Sequence, residues 1–447
     1  MAEPALRCLV TGATGYIGGR LVPRLLDAGF EVRALARTPE KLAGVPWRQR
    51  IEVARGDLGN PASLDAAFDG VDVVYYLVHS MGFEKDFATE ERRAAQNVVA
   101  AARKAGVRRI VYLSGLHPEG GELSTHLGSR TTVGEILIGS GIETIVLQAG
   151  VVVGSGSASF EMVRQLTDRL PVMTTPKWVH NKIQPIAIRD VLHYLVAAAT
   201  CPVPKSREWD IGGPDVLEYG EMMQIYAEVA GLRPRRILVL PVLTPRIASL
   251  WVGLVTPIPP GLARPLVESL HCDAVMNNHD IDTIIPPPEG GLTPYRKSVE
   301  LALAKVARGE VETTWSTGTA AILPSDPEWA GEVVYTDTRE SHTPAAPEKL
   351  WQAVERSMPP SWHVEQSEPG RMVKARSTHR RLGDRWLELR VIPEGDGSRY
   401  EQRSIFYPRG LPGRLYWFAG RPLHELALDR RVKRVMSALE RVSAGSS

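Results

Sequence analysis

A glycine-rich run of eight residues near the start of the chain has the spacing of a phosphate-binding turn. Glycine lets a backbone turn tightly and approach an anion, and the free N–H groups of a following helix attract anionic oxygens. An apolar stretch precedes the run and a helical pattern follows it. Its members are Thr11, Gly12, Ala13, Thr14, Gly15, Tyr16, Ile17 and Gly18. The sequence predicts a pyrophosphate cradle; the alternative is a turn without a ligand.

A basic residue ends the second predicted strand, where dinucleotide-binding folds discriminate between cofactors. A carboxylate there bonds the adenosine ribose of NAD, whereas a basic residue accepts the 2′-phosphate of NADP. Arg37 ends the run Ala34-Leu35-Ala36-Arg37, and Arg33 stands four residues earlier. We expect Arg37 to pair with the phosphate, so that NADPH is favoured over NADH, and Arg33 could help. The alternative is that Arg37 is a solvated surface residue.

Alternating strand and helix signals over the first 150 residues position this turn. Helical periodicity is clear from Glu90 to Ala105, where Ala95, Val98, Val99 and Ala102 share a face. Strands are predicted at 5–11, 31–37, 51–55, 71–78, 108–114 and 142–148. Strands joined by such helices imply right-handed crossovers and a parallel sheet. The predicted fold class is α/β, a doubly wound parallel sheet of the Rossmann type.

The pattern changes after this region, and three segments are predicted. Residues 1–307 form the nucleotide-binding domain, in which about 151–300 cover the substrate and a proline-rich apolar stretch, 237–265, contains Trp251. Residues 308–328 form a linker, and 329–447 form an α+β domain with antiparallel strands and a long helix from about Leu411 to Val442. Ligand binding by this last domain is one interpretation, and an apolar cluster at helical spacing is expected to pack on the sheet. That cluster comprises Tyr416, Trp417, Phe418, Pro422 and His424.

Composition narrows the class of protein. The 447 residues carry a formal net charge of +2, which gives no electrostatic footprint for nucleic acid. The three cysteines are isolated, without metal-binding spacing. We expect a cytoplasmic protein without signal peptide or transmembrane segment, because the apolar stretch Ile247 to Ala263 is short and broken by prolines. Peripheral membrane contact and the oligomeric state stay open.

These motifs resemble the short-chain dehydrogenase/reductase superfamily in its extended or atypical branch. The resemblance covers roughly residues 5–230 and includes the glycine run, Gly56-Asp57-Leu58 and Tyr112-Leu113-Ser114. Segments 154–160 and 184–190 are similar to bacterial NAD(P)-binding proteins with an added C-terminal domain of unassigned function. The C-terminal order of elements is similar to the helix-grip fold of lipid- and polyketide-binding domains.

The resemblance assigns roles to further residues. Asp57 and Leu58 would hold the adenine edge, and Leu77, His79 and Ser114 would line the path to the nicotinamide. The superfamily also supplies a Tyr and, four residues later, a Lys, but the corresponding helix here has His126 and Arg130 at that spacing. His126 could donate a proton near neutral pH, since imidazole titrates there. Arg130 could hold a phosphate or a ribose hydroxyl but cannot act as an acid.

Four further residues are candidates for either the substrate site or the core. His117 lies in the loop after the fifth predicted strand and is a candidate substrate contact. Tyr75 and Tyr76 belong to a buried-looking strand and are expected in the core. Trp251 either lines an apolar channel or packs in a lid.

Two function classes follow from these residues. The first is an NADPH-dependent reductase for a bulky apolar substrate such as an isoprenoid, lipid or polyketide-like compound. The absent Tyr–Lys pair then suggests C=C reduction, or a proton that comes from substrate or water. The second is a non-catalytic NADP(H)-binding sensor or scaffold.

Overall fold

The computed structural model describes residues 5–43, 45–78, 87–118, 120, 123–239, 268, 270, 272–308, 335–358, 361–378, 382–395, 397–408 and 410–444. The chain divides into two compact units, Met1–Gly331 and Glu332–Ser447, which are described separately. The predicted linker 308–328 lies outside the described residues except for Arg308, and so does nearly all of the apolar stretch 237–265 with Trp251.

The first unit alternates strands and helices. Its strands are β1 (Arg7–Thr11), β2 (Glu31–Ala36), β3 (Glu52–Arg55), β4 (Val73–Tyr76), β5 (Arg109–Gly115), β6 (Glu143–Ala149), β7 (Val152–Val153), β8 (Val172–Thr175), β9 (Lys182–Ile183), β10 (Ile186–Ala187), β11 (Arg207–Ile211), β12 (Leu217–Glu218) and β13 (Arg236–Val239). Its helices are α1 (Tyr16–Asp27), α2 (Asp65–Phe68), α3 (Phe87–Ala105), α4 (Thr125–Ile138), α5 (Ala158–Arg169), α6 (Ile188–Ala197), α7 (Tyr219–Val229) and α8 (Tyr295–Arg308). Short 3-10 helices lie at Pro39–Leu42, Arg48–Arg50, Pro61–Ser63, Lys177–His180 and Asp280–Thr283.

Seven of the described strands form one parallel sheet in the order β11-β6-β5-β4-β1-β2-β3. Successive residues of a strand point to opposite faces, so each strand feeds two cores. Cys8 and Val10 pack with α1 and α6, whereas Leu9 packs with α3 and α4. The order reverses between β1 and β4, which places a ligand crevice at the carboxyl ends of these two strands. The predicted doubly wound fold is confirmed.

Helix α3 shows why the sequence pattern was informative. Its four periodic residues, Ala95, Val98, Val99 and Ala102, are all buried. The helix begins at Phe87, three residues before the predicted start. Tyr75 and Tyr76, expected in the core, are also buried.

A third core lies outside the large sheet in the first unit. It is built from α5, α7 and α8, with Phe160, Met222 and Tyr226 among its fully buried side chains. Three two-stranded sheets border it, in which β7 pairs with β10, β8 with β13, and β9 with β12. These elements occupy the region predicted to cover a substrate.

The second unit contains an antiparallel sheet with two helices. Its elements are β14 (Tyr335–Thr343), α9 (Pro347–Arg356), β15 (Trp362–Glu368), β16 (Met372–Ser377), β17 (Gly383–Glu394), β18 (Gly397–Pro408) and α10 (Gly410–Ala444). The described strands follow the order β14-β18-β17-β16-β15. Leu350 and Val354 of α9 and Val435 and Leu439 of α10 pack on the sheet residue Leu389. The predicted α+β class is confirmed.

Aromatic residues attach the start of α10 to the sheet. The Trp417 ring stacks on Phe406 of β18 with centroids 5.4 Å apart, and on His424 with centroids 5.1 Å apart. The expectation that this cluster packs on the sheet is confirmed for Tyr416 and Trp417, which both contact Phe406. Within the described ranges, no helix combines the length and the apolar character that crossing a membrane requires.

Candidate functional site

Three glycines shape the turn between β1 and α1. Gly12 has a φ of 73°, and a Cβ there would lie 2.8 Å from the carbonyl oxygen of Leu77. A Cβ on Gly18 would lie 2.9 Å from the Ala13 Cα, and one on Gly15 would lie 3.1 Å from the Gly12 oxygen. The Gly15 N–H also donates to the Gly12 oxygen at 2.9 Å. Side chains at these positions would fill the turn. Their absence leaves the space that a pyrophosphate needs.

Helix α1 offers its N-terminus to this turn. Gly15 is the N-cap residue and has no side chain that could cap the first turn, which starts with Tyr16 and Ile17. The first N–H groups of a helix lack intrahelical acceptors and carry partial positive charge. Thr14 is half-buried beside them. The residues present therefore fit the pyrophosphate of a dinucleotide.

Tyr16 covers a second glycine loop, which the sequence predicted only as a family likeness. A Cβ on Gly154 would collide with the Tyr16 hydroxyl, and one on Gly156 would lie 3.5 Å from the Tyr16 ring. Arg20 places its guanidinium 4.1 Å from the Tyr16 ring centroid and donates to the Ser155 carbonyl at 3.1 Å. The glycine pair thus lets the loop after β7 pack against the first turn of α1.

Arg37 and Arg33 lie in different environments. Arg37 is exposed and directly follows β2 at the carboxyl edge of the sheet. Arg33 is buried, and its guanidinium donates to Glu52 at 2.7 Å and to the carbonyls of Ala67 and Asp69 at 2.8 Å and 2.7 Å. The expectation that Arg33 assists Arg37 is wrong, because these bonds hold its guanidinium near the start of β3.

Asp57 and Leu58 follow β3, one strand farther along the same edge. The Asp57 carboxylate accepts a hydrogen bond from the Gly59 N–H at 2.9 Å. The backbone N–H of Asp57 donates to the Ser63 hydroxyl at 2.9 Å. The Leu58 side chain is buried, and its carbonyl accepts from Asn97 at 2.8 Å. These bonds fix an exposed carboxylate at the sheet edge, where the adenine contact was predicted.

Leu77 is held against the glycine turn by Thr11. The buried Thr11 hydroxyl donates to the Tyr75 carbonyl at 2.9 Å and accepts from the Leu77 N–H at 3.0 Å. This pair of bonds joins the ends of β1 and β4 at the crevice. His79, predicted next on this path, lies outside the described residues.

The Tyr112 hydroxyl connects Ser114 of β5 with Arg130 of α4. Ser114 is buried at the end of β5, and its side chain bonds the Tyr112 hydroxyl, which also interacts with the Arg130 side chain. Arg130 Nη2 lies 3.3 Å from the Leu113 carbonyl. Burial raises the pKa of the Tyr112 phenol, so this hydroxyl stays protonated near neutral pH. The structure brings the predicted Ser114 and Arg130 together, and it adds Tyr112, which the sequence analysis used only as a family marker.

His126 shares a helix face with Arg130 but is buried. Burial, and next the positive charge of Arg130, lower the pKa of His126 to about 3. The imidazole is therefore neutral near pH 7. The expectation that His126 titrates near neutral pH is wrong, because the pattern of the sequence did not show how deeply the ring is buried.

Helix α4 is held in place by a buried bond to α3. The Ser129 hydroxyl donates to the Glu91 carboxylate at 2.5 Å, and both residues are buried. Ser124 caps the N-terminus of α4 by accepting from the Leu127 N–H at 3.2 Å. These contacts orient His126 and Arg130 relative to β5.

A second polar cluster lies at the carboxyl ends of β5, β6 and β11. His117 Nε2 is 3.2 Å from Gln148 Nε2 and 3.4 Å from the Thr131 hydroxyl. Gln148 also bonds the Glu208 carboxylate, and the charge of His117 acts on both Glu208 and Asp210. Of these residues the sequence analysis named only His117. Gln148 and Asp210 could have been found because they lie near the carboxyl ends of adjacent strands, where ligands bind in such sheets.

Two family models match separate parts of the chain, and two named reductases are similar to it. Residues 12–138 match a family model described as NAD(P)H-binding, and residues 359–430 match one described as a protein of unknown function (DUF2867). The chain is 33% identical over 268 residues to a (4-alkanoyl-5-oxo-2,5-dihydrofuran-3-yl)methyl phosphate reductase from Streptomyces griseus, covering 58% of this chain and 85% of the relative. It is 28% identical over 234 residues to a ceramide reductase from Caulobacter vibrioides, covering 51% of this chain and 72% of the relative.

The chain belongs to the extended short-chain dehydrogenase/reductase family. The named relatives are reductases, so this family member is an NAD(P)-dependent oxidoreductase. The C-terminal addition expected from the resemblance is confirmed by the match at 359–430.

Solved structures support the same fold. A triphenylmethane reductase from Citrobacter sp., complexed with NADP(H), superposes with a TM-score of 0.53 at 21% identity, over 66% of this chain and 99% of that chain. A nucleoside-diphosphate-sugar epimerase from Staphylococcus aureus superposes with a TM-score of 0.53 at 16% identity, over 66% of this chain and 100% of that chain.

This short-chain dehydrogenase/reductase family member departs from the expected active-site helix. Helix α4 reads THLGSRTTVGEILI and contains neither tyrosine nor lysine. His126, one of the two residues at the expected spacing, is neutral, and the other, Arg130, remains charged.

Proposed function

We propose that the protein is an NADPH-dependent reductase of a bulky apolar substrate. The observation that carries the proposal is the glycine turn, because Gly12, Gly15 and Gly18 leave room for a phosphate directly at the uncapped start of α1. The likeness of the chain to named reductases supports turnover of a substrate rather than cofactor binding alone. When bound in this cradle, the cofactor supplies a hydride from its dihydronicotinamide.

Arg37 supports the choice of NADPH over NADH. It is exposed at the end of β2, where the adenosine ribose lies in dinucleotide folds, and no carboxylate occupies the tip of that strand. A guanidinium bonds a phosphate through two parallel N–H groups. Arg33 contributes nothing to this phosphate, because its guanidinium is bonded to Glu52. The structural relative from Citrobacter sp. is complexed with NADP(H), in agreement with this assignment.

The remaining cofactor contacts follow the sheet edge. Gly12, Thr14, Gly15, Tyr16, Ile17 and Gly18 hold the pyrophosphate, Asp57 and Leu58 contact the adenine, and Leu77 and His79 line the path to the nicotinamide. Arg130 holds a ribose hydroxyl in the place of the family lysine, while Ser114 donates a hydrogen bond to the substrate. His126 does not act as the acid near pH 7, because burial and the charge of Arg130 lower its pKa to about 3.

The names of the relatives support the substrate class. One reduces an alkanoyl-substituted dihydrofuranone phosphate and the other a ceramide, and both compounds carry alkyl chains. We propose that residues 151–300 cover such a chain, and that residues 329–447, beyond a linker at 308–328, form a domain that binds an apolar ligand. We place the protein in the cytoplasm, where NADPH is available.

Cofactor consumption by the purified full chain tests this function. The probes are an alkanoyl butenolide, a long-chain 3-keto base, a steroid ketone and a short-chain quinone, each mixed with NADPH. The proposal predicts NADPH oxidation with at least one of the first three and a lower kcat/KM with acetone. Tight NADPH binding without oxidation by any probe supports the non-catalytic sensor instead.

A further inference from the structure

His117 occupies a position that the family mechanism does not use. It lies two residues beyond the end of β5, the strand that contains the buried Ser114, and its ring is half-buried. Gln148, whose amide contacts the ring, is the register partner of Ser114 on the neighbouring strand. His117 therefore lies beside the place where the proposed substrate oxygen would meet Ser114.

The ring atom Nε2 of His117 has a hydrogen-bond partner whether or not it carries a proton. Thr131 Oγ1, 3.4 Å from Nε2, donates its own proton to the Leu127 carbonyl at 3.1 Å and can accept one from the imidazole. Gln148 Nε2, 3.2 Å away, can donate to the same ring atom when that atom has no proton. Nδ1 faces only the Pro118 carbonyl within the described residues, at a weak 3.4 Å. Nδ1 is therefore the ring atom available for proton exchange.

Two acidic residues of β11 lie near His117. Glu208 and Asp210 of β11 both interact with it electrostatically, and Gln148 links Glu208 to the ring through its amide. Arg130, the cation of α4, contacts the Leu113 carbonyl and the Tyr112 hydroxyl on the adjoining strand. Burial raises the pKa of both carboxyl groups. In general, a carboxylate close to an imidazole stabilises the cation of that ring.

We propose that His117 is the catalytic acid of the reductase, in place of the absent family tyrosine, with Gln148 and Glu208 as positioning residues. This inference rests on the proposed function. Hydride from the dihydronicotinamide forms a C–H bond at the carbonyl carbon, and the C=O π pair moves onto oxygen. The imidazolium gives its Nδ1 proton to that oxygen, and the remaining proton stays on Nε2, which donates a hydrogen bond to the Thr131 hydroxyl. NADPH is oxidised to NADP⁺, the ketone becomes an alcohol, and solvent reprotonates Nδ1.

The test combines a pH profile with a titration of the ring by NMR. In the wild type, kcat with the most active carbonyl probe is constant at low pH and falls as pH rises through the pKa of His117. His117→Gln lowers kcat at pH 7 by about 100-fold, leaves the NADPH Kd unchanged and removes this limb of the profile. Glu208→Gln keeps turnover but moves its midpoint to lower pH, because one carboxylate that stabilises the imidazolium is lost.

The NMR signal of [13C]histidine-labelled protein gives a readout that needs no turnover. The resonance lost in His117→Gln must titrate in the wild type with the midpoint seen in kcat, and Glu208→Gln must lower that midpoint. The control is His193→Gln on α6, which packs on the opposite face of the sheet, where its ring bonds the Pro286 carbonyl. It leaves both readouts unchanged.

Each result separates this inference from the function on which it rests. Wild-type kcat and an unchanged pH limb in His117→Gln overturn the acid role while the reductase function stands. A His117 ring that does not titrate between pH 5 and 9 overturns it as well. Bound NADPH that no carbonyl probe oxidises in the wild type contradicts the proposed function itself and, with it, the acid role.

Discussion

Arg130 lies one helical turn beyond His126 on α4, and its charge adds to burial in lowering the pKa of His126 to about 3. The two residues that replace a tyrosine and a lysine therefore act on each other. One stays charged, and the other is kept neutral.

His126 should make folding sensitive to acid. The unfolded chain binds a proton on this ring near pH 6.5, whereas the folded protein resists protonation down to about pH 3. Stability is thus lost as pH falls through this window, with a slope of up to about 1.4 kcal/mol per pH unit from this group. His126→Gln should remove that contribution, so the wild type loses more stability than the variant between pH 7 and 5 in urea unfolding. His279→Gln, at an exposed ring, should follow the wild type. Parallel stability curves for the wild type and His126→Gln would contradict the assignment.

Removing the cation of α4 should partly restore the His126 pKa. Arg130→Met should raise it, since the positive charge no longer opposes protonation, but it should stay below 6.5 because burial, the larger cause, remains. A pH titration of the His126 ring signal by NMR measures this, with the signal assigned by its loss in His126→Gln. An unchanged midpoint would show that Arg130 does not act on the ring.

Arg37 should control cofactor preference. Arg37→Ala should weaken NADPH binding by about 10- to 100-fold, the effect of losing a charge-assisted bond, and should leave NADH binding almost unchanged. Fluorescence titration with both cofactors measures the two dissociation constants. Arg108→Ala, an exposed arginine at the opposite edge of the sheet, is the matched control. Equal losses for both cofactors would contradict the role of Arg37 as the phosphate ligand.

Two adjacent glycines of α1 allow a matched test of the cradle. A Cβ on Gly18 would lie 2.9 Å from the Ala13 Cα, whereas one on Gly19 would be 3.4 Å from the Ala13 oxygen. Gly18→Ala should cost about 1–3 kcal/mol of stability and at least about 10-fold in NADPH affinity, because the turn must open. Gly19→Ala should bind like the wild type and gain up to about 1 kcal/mol from helix propensity. Equal behaviour of the two variants would show that the turn is not packed so tightly.

The sequence predicted the fold well where local patterns decide it. Alternating buried strands and the periodic face of α3 follow from residue type and spacing, so the parallel sheet could be predicted. Strand β15 could not be predicted, because most of its residues are exposed and its buried and exposed residues do not alternate clearly. The covering region depends on pairings such as β8 with β13, which join residues more than sixty positions apart and leave no local signal.

The site was predictable only in part. The glycine turn and Arg37 are local features of one strand end, and they could be read from spacing. The burial of His126 and the bonds of Arg33 depend on neighbours distant in the chain, such as Glu52 and Ala67 for Arg33. The cluster of His117 with Gln148 and Glu208 combines residues of β6, β11 and the loop after β5, so no single motif indicates it.

The most direct test of the central claim follows the hydride itself. Full-length protein is incubated with NADPH carrying deuterium at C4 of the dihydronicotinamide, prepared as each of its two stereoisomers, and with the alkanoyl butenolide and long-chain keto-base probes. We expect one stereoisomer to transfer a single deuterium to a reduced product, seen by mass spectrometry as a gain of one mass unit over the product made with unlabelled NADPH. A bound cofactor that keeps its deuterium with both probes and in both stereoisomers would contradict this expectation.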